Sequence, residues 1–160
     1  MEERRMEEKF AAQLYTVREE LQEEGVHSVF KRLKEMGWDA VQISALPQGY
    51  DREEVAAALK ENKLQAAGMH TSLQRIEEDL ENVLAEVDLY GTKDIVCPYL
   101  SDELRNEAGY RRVKDILNRA AELAPGYRFS YHNHDFEFET MMDGQNALSY
   151  MLNPANGNKI

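Results

Sequence analysis

The chain has 160 residues, 42% hydrophobic and 31% charged, with four Pro and nine Gly, which excludes a disordered, collagen-like or membrane protein and fits a globular domain. Nineteen Lys and Arg against thirty Asp and Glu leave a formal charge of −11, so a polyanion meets net repulsion and nucleic acid is disfavoured as a partner. No stretch approaches the roughly 20 unbroken apolar residues of a membrane helix, and the single Cys97 cannot form an internal disulfide.

Met1 to Phe10 alternates acid and base where a signal peptide needs an apolar core, so residues 1–9 read as a charged extension and the chain is expected in the cytoplasm. From Phe10 onward short apolar runs alternate with helical periodicity. Phe10 to Val17 is the first expected strand, with Gln13 and Tyr15 on one face because strand side chains alternate. A helix follows on Val29, Phe30, Leu33 and Met36 and ends at Gly37; Ala40 to Ser44, with Gln42, is the second strand. Asp51 and Glu54, three apart, start a helix through Val55, Ala58 and Leu59. The third strand, Leu64 to His70, ends directly before Thr71 and Ser72.

Ile76, Leu80, Val83, Leu84 and Val87 then form one helical stripe capped at Gly91, with the glutamates between Glu77 and Glu86 as its solvated face. Asp94 to Pro98 is the fourth strand, enclosing Cys97 as an inert core thiol. The next helix uses Tyr110, Val113, Ile116, Leu117 and Ala120 and stops near Pro125; Tyr127 to His134 is the fifth strand. A fifth helix is expected over roughly Asp143 to Leu152, then a loop through Asn158, with a sixth strand starting at Lys159.

Strand and helix in regular succession predict parallel strands with right-handed crossovers, an α/β fold. No Gly-x-Gly-x-x-Gly is present, and the first turn, Thr16 to Glu20, cannot cradle a pyrophosphate. Eight βα units take about 250 residues, so five units in 160 residues are expected to be part of a larger fold.

Working residues of a parallel sheet gather at the carboxyl ends of its strands. His132 and His134, two apart on one strand, are expected on the same side, with Phe129 and Tyr131 facing the helices. Two such imidazoles can hold a divalent metal or pass a proton near neutral pH, or simply hydrogen-bond their neighbours at the rim. Gln13 and Gln42 read equally as buried amides satisfied by adjacent strands, and His70 as structural. Asp135, Glu137 and Glu139, alternating with Phe136 and Phe138, read as a half-exposed edge or loop. Gly-x-Ser-x-Gly, Cys-x-x-Cys and His-Glu-x-x-His are all absent, which disfavours covalent hydrolysis and leaves proton transfer on a small polar substrate.

Gln13-Leu14-Tyr15-Thr16-Val17-Arg18, Gly68-Met69-His70-Thr71-Ser72 and Tyr131-His132-Asn133-His134-Asp135-Phe136-Glu137-Phe138 resemble the sugar phosphate isomerase/epimerase family over residues 10 to 160. That group shares a xylose isomerase-like barrel with inosose dehydratases and the AP endonuclease family 2 type of repair enzyme. The resemblance implies a TIM (β/α)8 barrel, here truncated to about its first five βα units, so that residues 10–160 form a partial barrel domain. It implies a divalent metal (Mn, Mg, Co or Zn) held by a Glu, an Asp, a His and a second Glu, with carboxylates moving a proton beside a carbonyl. The first ligand position falls on His132 instead of Glu, making His132 the expected catalytic residue and metal ligand. A different outcome, such as dehydration or redox-assisted chemistry on a keto-sugar, is then open. Gln13, Tyr15, Gln42, His70 and His134 are the expected substrate contacts, His70 matching a metal-binding His of the endonuclease branch, and Arg18 is a candidate for a phosphate. The expected partner is a sugar or cyclitol, with no nucleic acid and no membrane. The alternatives are a non-catalytic half-barrel that self-associates through open sheet edges, or a metal-independent small-molecule binding domain.

Overall fold

The computed structural model describes residues 10–160, and the charged extension 1–9 lies outside the described residues. Contacts divide the chain into two units: the residues up to Ala67 with Leu89–Gly91, and Gly68–Asp88 with Thr92–Ile160.

In the first unit β1 (Ala12–Gln13) pairs in parallel with β2 (Ala40–Ile43), Ala12 opposite Val41 and Gln13 opposite Gln42. Val41 and Ile43 are buried while Ala40 and Gln42 are half-buried, the alternation of a strand packed on one face. The strand expected over Phe10–Val17 is therefore much shorter. Leu14–Val17 coil into a 3₁₀ turn, where the Thr16 hydroxyl donates to the Gln13 carbonyl at 2.7 Å. Tyr15 consequently sits on that turn and shares no strand face with Gln13.

The chain returns through α1 (Arg18–Glu35), which packs against α2 (Arg52–Asn62). Gly25 interrupts α1 with φ 78°, a left-handed value that a Cβ would penalise. Beyond it Val26, Val29, Phe30 and Leu33 are buried, but Met36, expected on the same stripe, is 67% exposed because the helix has ended at Glu35. The Asp51 carboxylate accepts the Glu53 N–H at 2.8 Å and caps α2.

The third strand, β3 (Gln65–His70), begins in the first unit and ends in the second. There it pairs with β4 (Asp94–Cys97), and β4 with β5 (Arg128–Tyr131), all parallel, in the order β1-β2-β3-β4-β5. The register aligns two rows across the second unit. Met69, Ile95 and Phe129 are buried, whereas His70, Val96 and Ser130 are half-buried. Behind the buried row α5 (Glu107–Leu123) packs on β5 and on α3 (Leu73–Glu78), bringing Tyr110, Val113, Leu117 and Ala120 together with Leu73 and Ile76.

The single helix expected over Ile76–Val87 is two, α3 and α4 (Leu80–Leu89), because the chain leaves helical geometry at Asp79, φ −138°. Nor is Glu86 on a solvated face: it is buried and accepts from Arg75 Nη1 at 2.9 Å. After β5 come a short α6 (Phe136–Glu139), an antiparallel hairpin of β6 (Met141–Met142) and β7 (Gln145–Asn146), and α7 (Ala147–Leu152). The last helix starts at Ala147 rather than Asp143 because Asp143 and Gly144, with φ 49° and 80°, turn the hairpin. Among the described residues no helix is long and apolar enough to cross a membrane.

Candidate functional site

The second unit assembles three of the chain's four histidines at the carboxyl ends of β3 and β5. His70 closes β3, while His132 and His134 lie past the end of β5 at Tyr131. His132 still donates its backbone N–H to the Cys97 carbonyl at 3.0 Å, extending the ladder by one bond. His134 does not continue the strand, so the alternation expected through it is replaced by irregular chain that bends at Asp135. The rings nevertheless meet edge to face, with centroids 5.2 Å apart for His70 and His132 and 5.1 Å for His132 and His134.

His132 is exposed, and His70 and His134 are half-buried. Burial, then repulsion from His132 and His134, pushes the His70 imidazole down from 6.5 to about 4, which keeps it neutral at physiological pH. His134 stacks on Phe136 with centroids 5.2 Å apart and meets the Tyr99 ring edge-on at 5.3 Å. The Arg105 guanidinium lies 4.0 Å from the Phe136 centroid and 4.8 Å from that of Tyr99, fixed by its Nε bond to the Leu100 carbonyl.

Glu137, expected on an exposed edge or loop, is instead completely buried on α6. Its Oε2 accepts the His134 backbone N–H at 2.7 Å and its Oε1 accepts the Tyr131 hydroxyl at 2.5 Å. Burial, then the bond donated to Glu137, raises the Tyr131 hydroxyl well above the usual tyrosine range, so Tyr131 stays a donor. His134 Nδ1 is buried without a hydrogen-bond partner among the described residues, 4.0 Å from Glu137 Oε1. The signal that could have found Glu137 is its place three residues after His134, the span over which a Glu reaches back to a free N–H in a capping box. Cys97 is inert as expected, burial pushing its thiol up to about 12.

In the first unit Gln13 and Gln42 face each other across β1 and β2. The Ser44 hydroxyl donates to the Gln13 amide oxygen and accepts the Tyr15 N–H at 3.0 Å, so the oxygen of the half-buried Gln13 amide is already engaged. Tyr15 is exposed, with the Arg18 guanidinium 4.6 Å from its ring centroid and Arg18 Nη1 bonded to the Tyr15 carbonyl.

Donor chemistry at the rim is right for a divalent metal, yet among the described residues no three His, Cys, Asp or Glu side chains are grouped to hold one. His132 therefore lacks, within this chain's described residues, the partners that would complete a ligand set.

The fold is that of a partial TIM barrel, five parallel strands in chain order alternating with helices. Two crystal structures of sugar phosphate isomerase/epimerases from Parabacteroides distasonis ATCC 8503 are similar to it, each with a TM-score of 0.66 and 19% identity. They match 86% and 82% of this chain and 55% and 57% of their own lengths. An AP endonuclease of family 2 from Brucella melitensis is similar over 77% of this chain and 54% of its own, with a TM-score of 0.61 and 18% identity. The chain thus spans little more than half the length of the structures it matches. No family model and no curated protein matches the sequence.

Proposed function

We propose that the chain carries part of the active site of a sugar isomerase/epimerase-type enzyme, in which His132 takes and returns a proton at the carbon beside a carbonyl of a sugar, sugar phosphate or cyclitol. The observation that carries this reading is the contact of three imidazoles at the ends of β3 and β5, one exposed and one held neutral. An exposed imidazole presents two ring nitrogens to a substrate, one able to accept a proton and one able to give it, as a general acid–base requires. A neutral His70 can both donate to and accept from substrate hydroxyls, and His134 supplies a third ring. The same abstraction followed by loss of a hydroxyl would make the enzyme a lyase. Gln13, Tyr15 and Gln42 of the first unit are proposed, by themselves, as polar residues able to contact a substrate at the ends of β1 and β2. A divalent metal with His132 among its ligands, a cytoplasmic location and self-association through sheet edges belong to this reading as proposals.

A second reading, metal-independent binding of a small polyol by the same imidazoles, draws on the ring contacts themselves, which need no metal to bring them together. The test titrates ketoses, phosphorylated ketoses and cyclitols into the protein while following the histidine ring resonances by NMR, with and without Mg²⁺. Saturable shifts of His70, His132 and His134, abolished in His132→Ala, support the site. Metal-dependent shifts select the first reading and metal-independent shifts the second. No shift with any member of the panel overturns both.

A further inference from the structure

A four-residue helix that buries its glutamate and exposes its phenylalanine inverts the usual amphipathic order: on α6 Glu137 has no exposure and Phe138 is 54% exposed. Burying a carboxylate costs several kcal/mol unless donors replace its water. The Tyr131 hydroxyl and the His134 backbone N–H are two such donors, one on each oxygen. Each carboxylate oxygen can accept a further bond.

The Tyr110 hydroxyl also lies close enough to interact with Glu137, but it has the Phe136 carbonyl to donate to at 3.5 Å; His134 Nδ1 is buried, unpartnered among the described residues and 4.0 Å from Glu137 Oε1. A lone pair on Nδ1 would face a carboxylate oxygen and be repelled, whereas a proton there is attracted. A shift of roughly 1 Å would turn that attraction into a hydrogen bond.

We propose that Glu137 is a positioning residue that holds the His134 imidazole in the Nδ1–H tautomer, leaving Nε2 as an unprotonated acceptor beside His132. Through Oε2 the same carboxylate fixes the His134 backbone, and the ring packs against both Phe136 and Tyr99, which also touch each other, so tautomer and orientation are set together. In that tautomer Nε2 can accept a hydrogen bond from a substrate hydroxyl and cannot donate one. That role toward a substrate rests on the functional reading above; the tautomer does not.

The test is the long-range ¹H–¹⁵N correlation spectrum of the histidine rings, recorded on the full chain at neutral pH without added ligand. His134 is expected to show a protonated, pyrrole-type Nδ1 and a pyridine-type Nε2, and in Glu137→Gln, which keeps the shape and removes the charge, to lose that preference. Tyr131→Phe frees Oε1 of its other donor and should keep the Nδ1–H tautomer while moving its proton further downfield, which tests the assignment even if the Gln variant does not fold. A wild-type His134 protonated on Nε2, a tautomer unchanged in Glu137→Gln, or its loss in Tyr131→Phe overturns the proposal. Sugar titration of the same sample separates the two claims: the expected tautomer without sugar binding refutes the functional reading and leaves the role of Glu137 standing.

Discussion

Acid should weaken this protein through His70 in a defined window. The imidazole is depressed from 6.5 to about 4 in the folded state, so the fold binds its proton less tightly than the unfolded chain does. Stability from this group is complete above pH 6.5, falls as pH drops toward 4, and levels off below it. At about 1.36 kcal/mol per unit the full difference has a ceiling of about 3.4 kcal/mol. Because His70 is only half-buried and part of the effect is repulsion from two partly solvated rings, screening reduces the expected loss to roughly 1–2 kcal/mol. Urea unfolding of wild type and His70→Gln across that window measures it: the wild type should lose that much more stability than the variant. Parallel stability curves for the two proteins, or an NMR titration placing His70 at its ordinary value, would refute the reasoning.

Other perturbations test the frame that holds the site. A Cβ at Gly109 would lie 2.1 Å from the Leu104 carbonyl oxygen and 2.6 Å from its carbon, both backbone atoms, so Gly109→Ala should cost roughly 1–3 kcal/mol in chemical denaturation. Asn106 caps α5 by accepting the Gly109 N–H at 3.0 Å, and Asn106→Ala should lower the thermal midpoint by the equivalent of about 1 kcal/mol. Phe129→Ala should remove about 3–5 kcal/mol from urea unfolding, because its ring is almost fully buried on β5. Tyr131→Phe takes one donor from a buried carboxylate and should cost about 1–3 kcal/mol, read by the same denaturation.

Much of this architecture was legible from periodicity alone. The second, third and fourth strands fall within a residue or two of their expected places, because Val41, Ile43, Met69, Ile95 and Cys97 are apolar for one reason, burial against helices. Asp51 announces α2 through chemistry local to four residues. What stayed hidden depends on contacts distant in sequence. Glu86 looks like one more surface glutamate until α3 brings Arg75 to it. Asp135 to Glu139 alternates like a half-exposed edge or loop, and only the irregular segment after β5, which leaves Tyr131 and His134 bonded to one carboxylate, buries Glu137. The histidine cluster was visible as residues at strand ends, but the ring contact between His70 and His132 required the register of β3, β4 and β5. Tyr15 was misplaced because a 3₁₀ turn satisfied by Thr16 ends β1 early, a choice that apolar spacing does not encode.

The most direct test of the central claim is exchange of carbon-bound hydrogen with solvent deuterium in the sugars and cyclitols that shift the histidine resonances. The account predicts incorporation at the carbon beside the carbonyl, carried out by the wild-type chain and lost in His132→Ala. Binding without incorporation, or incorporation that survives the loss of His132, would contradict it.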